Sequence, residues 1–285
     1  MVKIPFPRAP CYGPMSLFIV AALASPAWAL PTGAQVAAGQ AVVSQPDAQS
    51  LHVNQTSSKA ILNWQQFSIS ANEKVKFIQP SSSAVALNRV VGNEASAILG
   101  QLSANGRVFL VNPNGVLFGV GSKVDVGGLV ASTLNIADQD FLQERYHFTK
   151  ASVTGSVVNQ GTISAHDGGY VALLGSQVVN EGVVHARLGT IALGAGDRIT
   201  LDMAGDKLIN LAVDQAAYDA SVSNKQLITA PGGTVIMSAK AANALASSVV
   251  NNQGVIEAHS LVERGGVIRL EASDAVANTG QRGAA

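Results

Sequence analysis

The chain has 285 residues, 18 basic and 18 acidic side chains, and one Cys. Zero net charge without a basic block argues against nucleic-acid binding, which needs a basic footprint. Charged residues make up 13% of the chain, against about 25% in ordinary soluble domains, so the outer faces of a helical bundle could not be covered; Gly, Ala, Ser, Asn and Gln suit short strands and tight turns instead.

Residues 1–29 read as a signal peptide. Lys3 and Arg8 give a positive start, residues 15–24 form a short apolar run, and Pro26 breaks it. Ala27 and Ala29 then make an A-x-A cleavage site before Leu30. The apolar run is too short to span a bilayer, which takes about 20 residues. Cys11 leaves with the leader, so the mature chain carries no Cys. No later apolar run reaches spanning length, and the product is expected to be soluble or surface-attached.

From Leu30 to about Ile136 the pattern is β-rich but irregular. Residues 106–111 alternate as a strand. Asn112, Pro113, Asn114 and Gly115 follow as a turn, with Pro113 fixing φ and the Asn-Gly pair allowing positive φ. Residues 138–146 predict a helical turn with Asp138 as its N-cap.

The second half repeats itself. Asn159-Gln160-Gly161-Thr162-Ile163 recurs at Asn180, at Asn252 and, with Gln226 in the glycine slot, at Asn224; Asn278-Thr279-Gly280 begins another copy. Each copy leads into a second apolar strand, at residues 168–173, 188–193, 232–237 and 265–270. The spacing from Asn159 to Asn180 is 21 residues, the length of one coil of a parallel β-helix. Asn and Gly are expected at corners with positive φ, and Ile163, Ala165, Val171, Leu173, Ile191, Leu193, Ile268 and Leu270 are expected to share an inner face. Two Ala-rich stretches, 213–220 and 239–246, lengthen the intervals and read as short helices or decorated loops. The expected fold is therefore all-β: a right-handed single-stranded parallel β-helix with an N-terminal β cap and short helical or loop insertions.

Five segments resemble the secretion domain of two-partner-secretion exoproteins, the filamentous-haemagglutinin and high-molecular-weight-adhesin family. They are residues 30–33, 61–69, 87–90, 106–119 and 129–136, in that order directly after a signal peptide. The resemblance implies export through an outer-membrane β-barrel transporter that reads the chain with its POTRA domains. It implies a monomer at the cell surface or outside, serving an adhesin or haemagglutinin that meets host-cell or matrix glycan or protein. It marks Asn112, Pro113, Asn114 and Gly115 as the signature turn associated with transporter recognition. The second signature of the family, Asn-Pro-Asn-Leu, is absent. On this reading residues 30–210 are the secretion domain and 211–285 continue the repeats as the start of a shaft.

Two other readings were weighed. A parallel β-helix also carries polysaccharide-degrading enzymes, for which Asp167, Asp197, Asp202 and Asp206 near Arg187 and Arg198 are the candidate carboxylates. Most of these lie beside Gly, where Asp is ordinary turn chemistry. A structural adhesin with no export partner is the third. His166 and His259 fall at equal offsets after Asn159 and Asn252, but no third ligand shares the spacing, so no metal or cofactor is expected. Trp64 and Phe67 are expected in the core, and no catalytic residue is assigned.

Overall fold

The computed structural model describes residues 30–152, 155–203, 209–242, 250–259, 266–272 and 276–283. The predicted leader, with Ala27 and Ala29, lies outside these, as does Asp206. The chain winds through three parallel faces. Face one stacks Ser50–Gln55, Lys74–Ile78, the first halves of Gln101–Val111, Lys123–Ser132 and Thr162–Gly175, then Val183–Ala186, Leu227–Thr229, Val255–Glu257 and Gln281–Gly283. Face two stacks Lys59–Trp64, Val85–Val90, the second halves of the same three long strands, then Thr190–Ala195, Thr234–Ala239 and Val267–Ala272. Face three stacks Ser96–Ile98, Val116–Phe118, Ser156–Asn159, Gln177–Asn180, Ser221–Asn224, Val250–Asn252 and Val276–Asn278. This is a parallel β-helix. Each coil buries its inner row against the next, because a single coil has nothing else to cover it.

The expected inner residues share one interior: Ile163, Ala165, Val171, Leu173, Ile191 and Leu193 lie in the main core, with Ile268 and Leu270 packed against it. Trp64 and Phe67 are fully buried there, edge to face at 5.3 Å. The indole Nε1–H of Trp64 donates to Asn88 Oδ1 at 3.0 Å, which satisfies the polar end of a large buried ring. At the amino end Gln35–Ala38 pairs antiparallel with Lys59–Trp64, and Ala41–Asp47 forms an antiparallel hairpin with Ser50–Gln55. These strands are the N-terminal cap.

Face two is buried on both sides. Its outward row runs Ile61, Leu87, Phe109, Val130, Ala172, Ala192, Ile236, one residue per coil in register, and turns polar only at Arg269. A four-stranded antiparallel sheet covers this row: Asn135–Ile136, Tyr146–Thr149, Arg198–Asp202 and Asn210–Gln215. The helix Asp138–Leu142 adds Phe141 to the same second core. Phe109 is its hub, with ring centroids 5.7 Å from Phe141, 5.3 Å from Tyr146 and 6.4 Å from Phe148.

Three local expectations are corrected. The helix begins one residue earlier than predicted: Ala137 is the N-cap, and Asp138 lies in the first turn, ion-paired with Arg89 at 2.6 Å. Of the two readings of residues 213–220, helix or loop, the loop holds for 216–220 and neither holds for 213–215. Asn210–Gln215 is a strand, because Leu211 and Val213 alternate and pair with Arg198–Asp202. Tertiary pairing outweighs the weak helix preference of so short an Ala-rich run. The second Ala-rich stretch ends the strand Thr234–Ala239 and bridges Ala241 to Ala217; residues 243–246 lie outside the described set.

The second core sets an alkaline limit. Burial pushes the Tyr146 hydroxyl up to about 12 and raises Tyr170 as well, while tyrosines in the unfolded chain ionise near pH ~10. Above that pH the unfolded chain binds fewer protons than the folded one, so stability falls as pH rises. The urea midpoint is expected to be level up to pH ~10 and to fall between pH ~10 and ~12, with a shallower fall in Tyr146→Phe. An equal slope in both proteins would show that these hydroxyls do not set it.

Candidate functional site

The strand Gln101–Val111 delivers Asn112 to the corner between faces two and three. The N–H of Gly115 donates to the carbonyl of Asn112 at 3.1 Å, which closes a β-turn over 112–115. Pro113 takes the position where a fixed φ is wanted. Gly115 has φ +128°, a conformation that side-chain-bearing residues rarely adopt. Asn114 does not use positive φ; only Gly115 does in this turn.

Asn112 is fully buried and its carboxamide is fully engaged. Its Nδ2 donates to the Glu94 carbonyl and to Ser96 Oγ, both at 2.9 Å. Its Oδ1 accepts from the backbone N–H of Asn114 at 3.0 Å and from Asn114 Nδ2 at 3.1 Å. Asn114 Nδ2 also donates to the Gly92 carbonyl at 2.9 Å. The neighbouring chain segments hold the turn from both sides: Ser96 N–H donates to Gly115 at 3.0 Å, and Gly155 N–H donates to Pro113 at 2.9 Å. The turn is thus a clamp joining three successive levels of the stack. Pro113 and Asn114 stay half-buried, and Asn114 and Gly115 border an open groove of about 710 Å³ on the outside of face three.

The repeated asparagines form a second device that sequence spacing placed correctly and explained wrongly. Asn159, Asn180, Asn224 and Asn252 are fully buried and none has positive φ. Each ends a strand of face three and points inward, and Nδ2 of each donates to Oδ1 of the next at 2.8 Å, through to Asn278. The glycines two residues later answer to crowding, not to φ. A Cβ on Gly182 would stand 2.2 Å from the Gly161 carbonyl oxygen, and one on Gly254 2.0 Å from that of Gln226. Positive φ does occur at Gly168 and Gly232, the corners into face two.

The described carboxylates of the enzyme reading, Asp167, Asp197 and Asp202, do not converge. Asp167 pairs with Arg187, its Oδ1 taking Nε–H at 2.8 Å, while Asp197 lies 3.2 Å from Lys150 Nζ. Asp202 ends the strand Arg198–Asp202 of the covering sheet. His166 reaches Asp125 at 3.2 Å on face one. Among the described residues no group of three or more His, Cys, Asp or Glu is placed to hold a metal ion.

The model of the TPS secretion domain matches residues 27–284. The chain belongs to the TPS, or two-partner secretion, domain family. As a TPS secretion domain it has solved and curated relatives. It superposes on the HMW1 secretion domain of Haemophilus influenzae with a TM-score of 0.80 at 32% identity, covering 89% of this chain and 66% of that one. A heme/hemopexin-binding protein of Haemophilus influenzae strain Rd is 33% identical over 261 residues, 87% of this chain and 28% of the relative. A second heme/hemopexin-binding protein of Haemophilus influenzae is 31% identical over 263 residues. The chain therefore spans under a third of the length of these curated relatives. TPS secretion domains serve exoproteins that cross the outer membrane through a partner transporter to the cell surface or beyond.

Sequence reasoning missed the covering sheet and the inward asparagines. The sheet had a signal: runs such as Leu129-Val130-Ala131 and Tyr170-Val171-Ala172-Leu173-Leu174 have no polar alternation, as strands buried on both faces do not.

Proposed function

We propose that the 112–115 turn serves export twice. In the unfolded chain Asn112, Pro113, Asn114 and Gly115 are open to the POTRA domains of the transporter. Outside the cell the same residues close a corner that the folded protein does not reopen. The observation that carries this is Asn112 itself, buried with both carboxamide atoms engaged by four hydrogen bonds. A side chain so occupied is not on offer to a partner once the coil has formed. Cleavage after Ala29 fits the packing of Leu30, 6% exposed and part of the main core.

The repeats from residue 211 onward extend the same three faces, and we read them as the beginning of a shaft. The cargo is a surface-binding exoprotein, and the names of the two curated relatives favour a haem- or hemopexin-binding one over an adhesin. The domain acts without catalysis, as a monomer; the separate ion pairs of Asp167 and Asp197 support the first point.

The test is export of the full chain from a Gram-negative host with and without a cognate two-partner transporter. Folded, β-rich protein is expected in the medium only when the transporter is present. Equal release without it would remove the reading and leave a free-standing β-helix protein.

A further inference from the structure

The groove beside the signature turn has walls of a particular chemistry. Its floor is the outward row of face three, where Leu117 and Val158 sit side by side in register, both half-buried. Tyr218 stands at its edge with 68% of its surface exposed, the most exposed aromatic of the described residues. Its ring face is open to a ligand beside this concave surface, the position from which an aromatic side chain stacks on an apolar face. Around it are short neutral polar groups: Asn114, Ser156, Ser176 and Gln177.

Charge and backbone restrict the occupant. The charged residues lining the groove are one of each sign, Lys150 and Asp219. Lys150 is already drawn to Asp197 at 3.2 Å, so nothing in the groove favours a polyanion. An extended peptide would need a free strand edge to pair with. The floor offers none, because Val116–Phe118, Ser156–Asn159 and Gln177–Asn180 are each hydrogen-bonded to a strand on both sides. What fits is a ligand that stacks an apolar face on Tyr218 and presents hydroxyls to amides and serines. We infer that this groove binds a neutral oligosaccharide chain. With Asp219 as the single carboxylate among the described residues lining it, the described groove lacks the pair of acids that glycoside hydrolysis requires, so the sugar is held and not cut.

Saturation-transfer-difference NMR on the folded full chain tests this with four probes: cellohexaose, maltohexaose, xylohexaose and N-acetylchitohexaose. At least one is expected to bind intact. Tyr218→Ala should weaken that binding about tenfold or more, while Tyr218→Trp holds it within about threefold. Gln177→Ala should fall between them. Tyr218 is largely exposed, so an unchanged urea midpoint will show that the variants are folded. Failure of all four probes, or binding indifferent to Tyr218→Ala, would overturn the inference. The assay involves no transporter, so its result stands apart from the export experiment.

Discussion

Asn112→Ala is expected to abolish most export and to cost the folded domain about 3 kcal/mol. The substitution deletes four hydrogen bonds. It also strands the buried Ser96 Oγ and takes the partner from the part-buried Glu94 carbonyl and Asn114 N–H, and each orphaned buried group costs about 1–3 kcal/mol. Gly115→Ala makes a second variant with a different defect. A Cβ there meets nothing closer than 3.5 Å, so the penalty is the backbone at φ +128°, about 1–3 kcal/mol. The urea midpoint and the yield in the medium, measured on both, separate two roles of the turn. If it acts only as a corner, export falls in step with stability across the two variants. If the transporter reads the motif in the unfolded chain, Asn112→Ala and Pro113→Ala lose export beyond what their midpoints explain. Export at the wild-type level from a destabilised Asn112→Ala would refute both roles.

The asparagine ladder should show a strong dependence on position. Asn180→Ala removes a rung from the middle: Asn159 Nδ2 loses the Oδ1 it donates to, and Asn224 Oδ1 loses its donor. Both groups are fully buried, and the expected cost is about 3 kcal/mol. Asn278→Ala removes an exposed end rung and should cost under about 1 kcal/mol. The two urea midpoints check this. Equal shifts would mean that the amides contribute only as corner residues, without the continuity of the ladder.

The repeat from Asn159 onward made the solenoid legible, because stacking demands one residue type at one level of every coil, and sequence records that demand directly. The inner rows could be named for the same reason. The corner at 112–115 was legible as a turn from Pro113 and Gly115. Its depth was not, since Glu94 and Ser96 hold Asn112 and Gly92 holds Asn114, all from a segment with no motif of its own. The covering sheet was hidden because its strands come from two excursions between coils, and pairing between Tyr146–Thr149 and Arg198–Asp202 leaves no local period. The asparagines were misjudged for a different reason: turn preference and inward amide stacking favour the same residue, and only the three-dimensional register separates them.

The covering sheet has a consequence for timing. A chain that emerges amino end first can lay down each coil as it appears. The strand Tyr146–Thr149, however, pairs first with Asn135–Ile136 and finds its second partner only 53 residues later, where His147 meets Thr200. The ladder is finished only when Asn210–Gln215 has also cleared the pore. On the proposed export route, the aromatic cluster around Phe109 is left half-roofed throughout that interval. Burial there lags behind emergence of the surface it protects, so on that route the outer layer works as a clock that runs out only after the first several coils are already stacked.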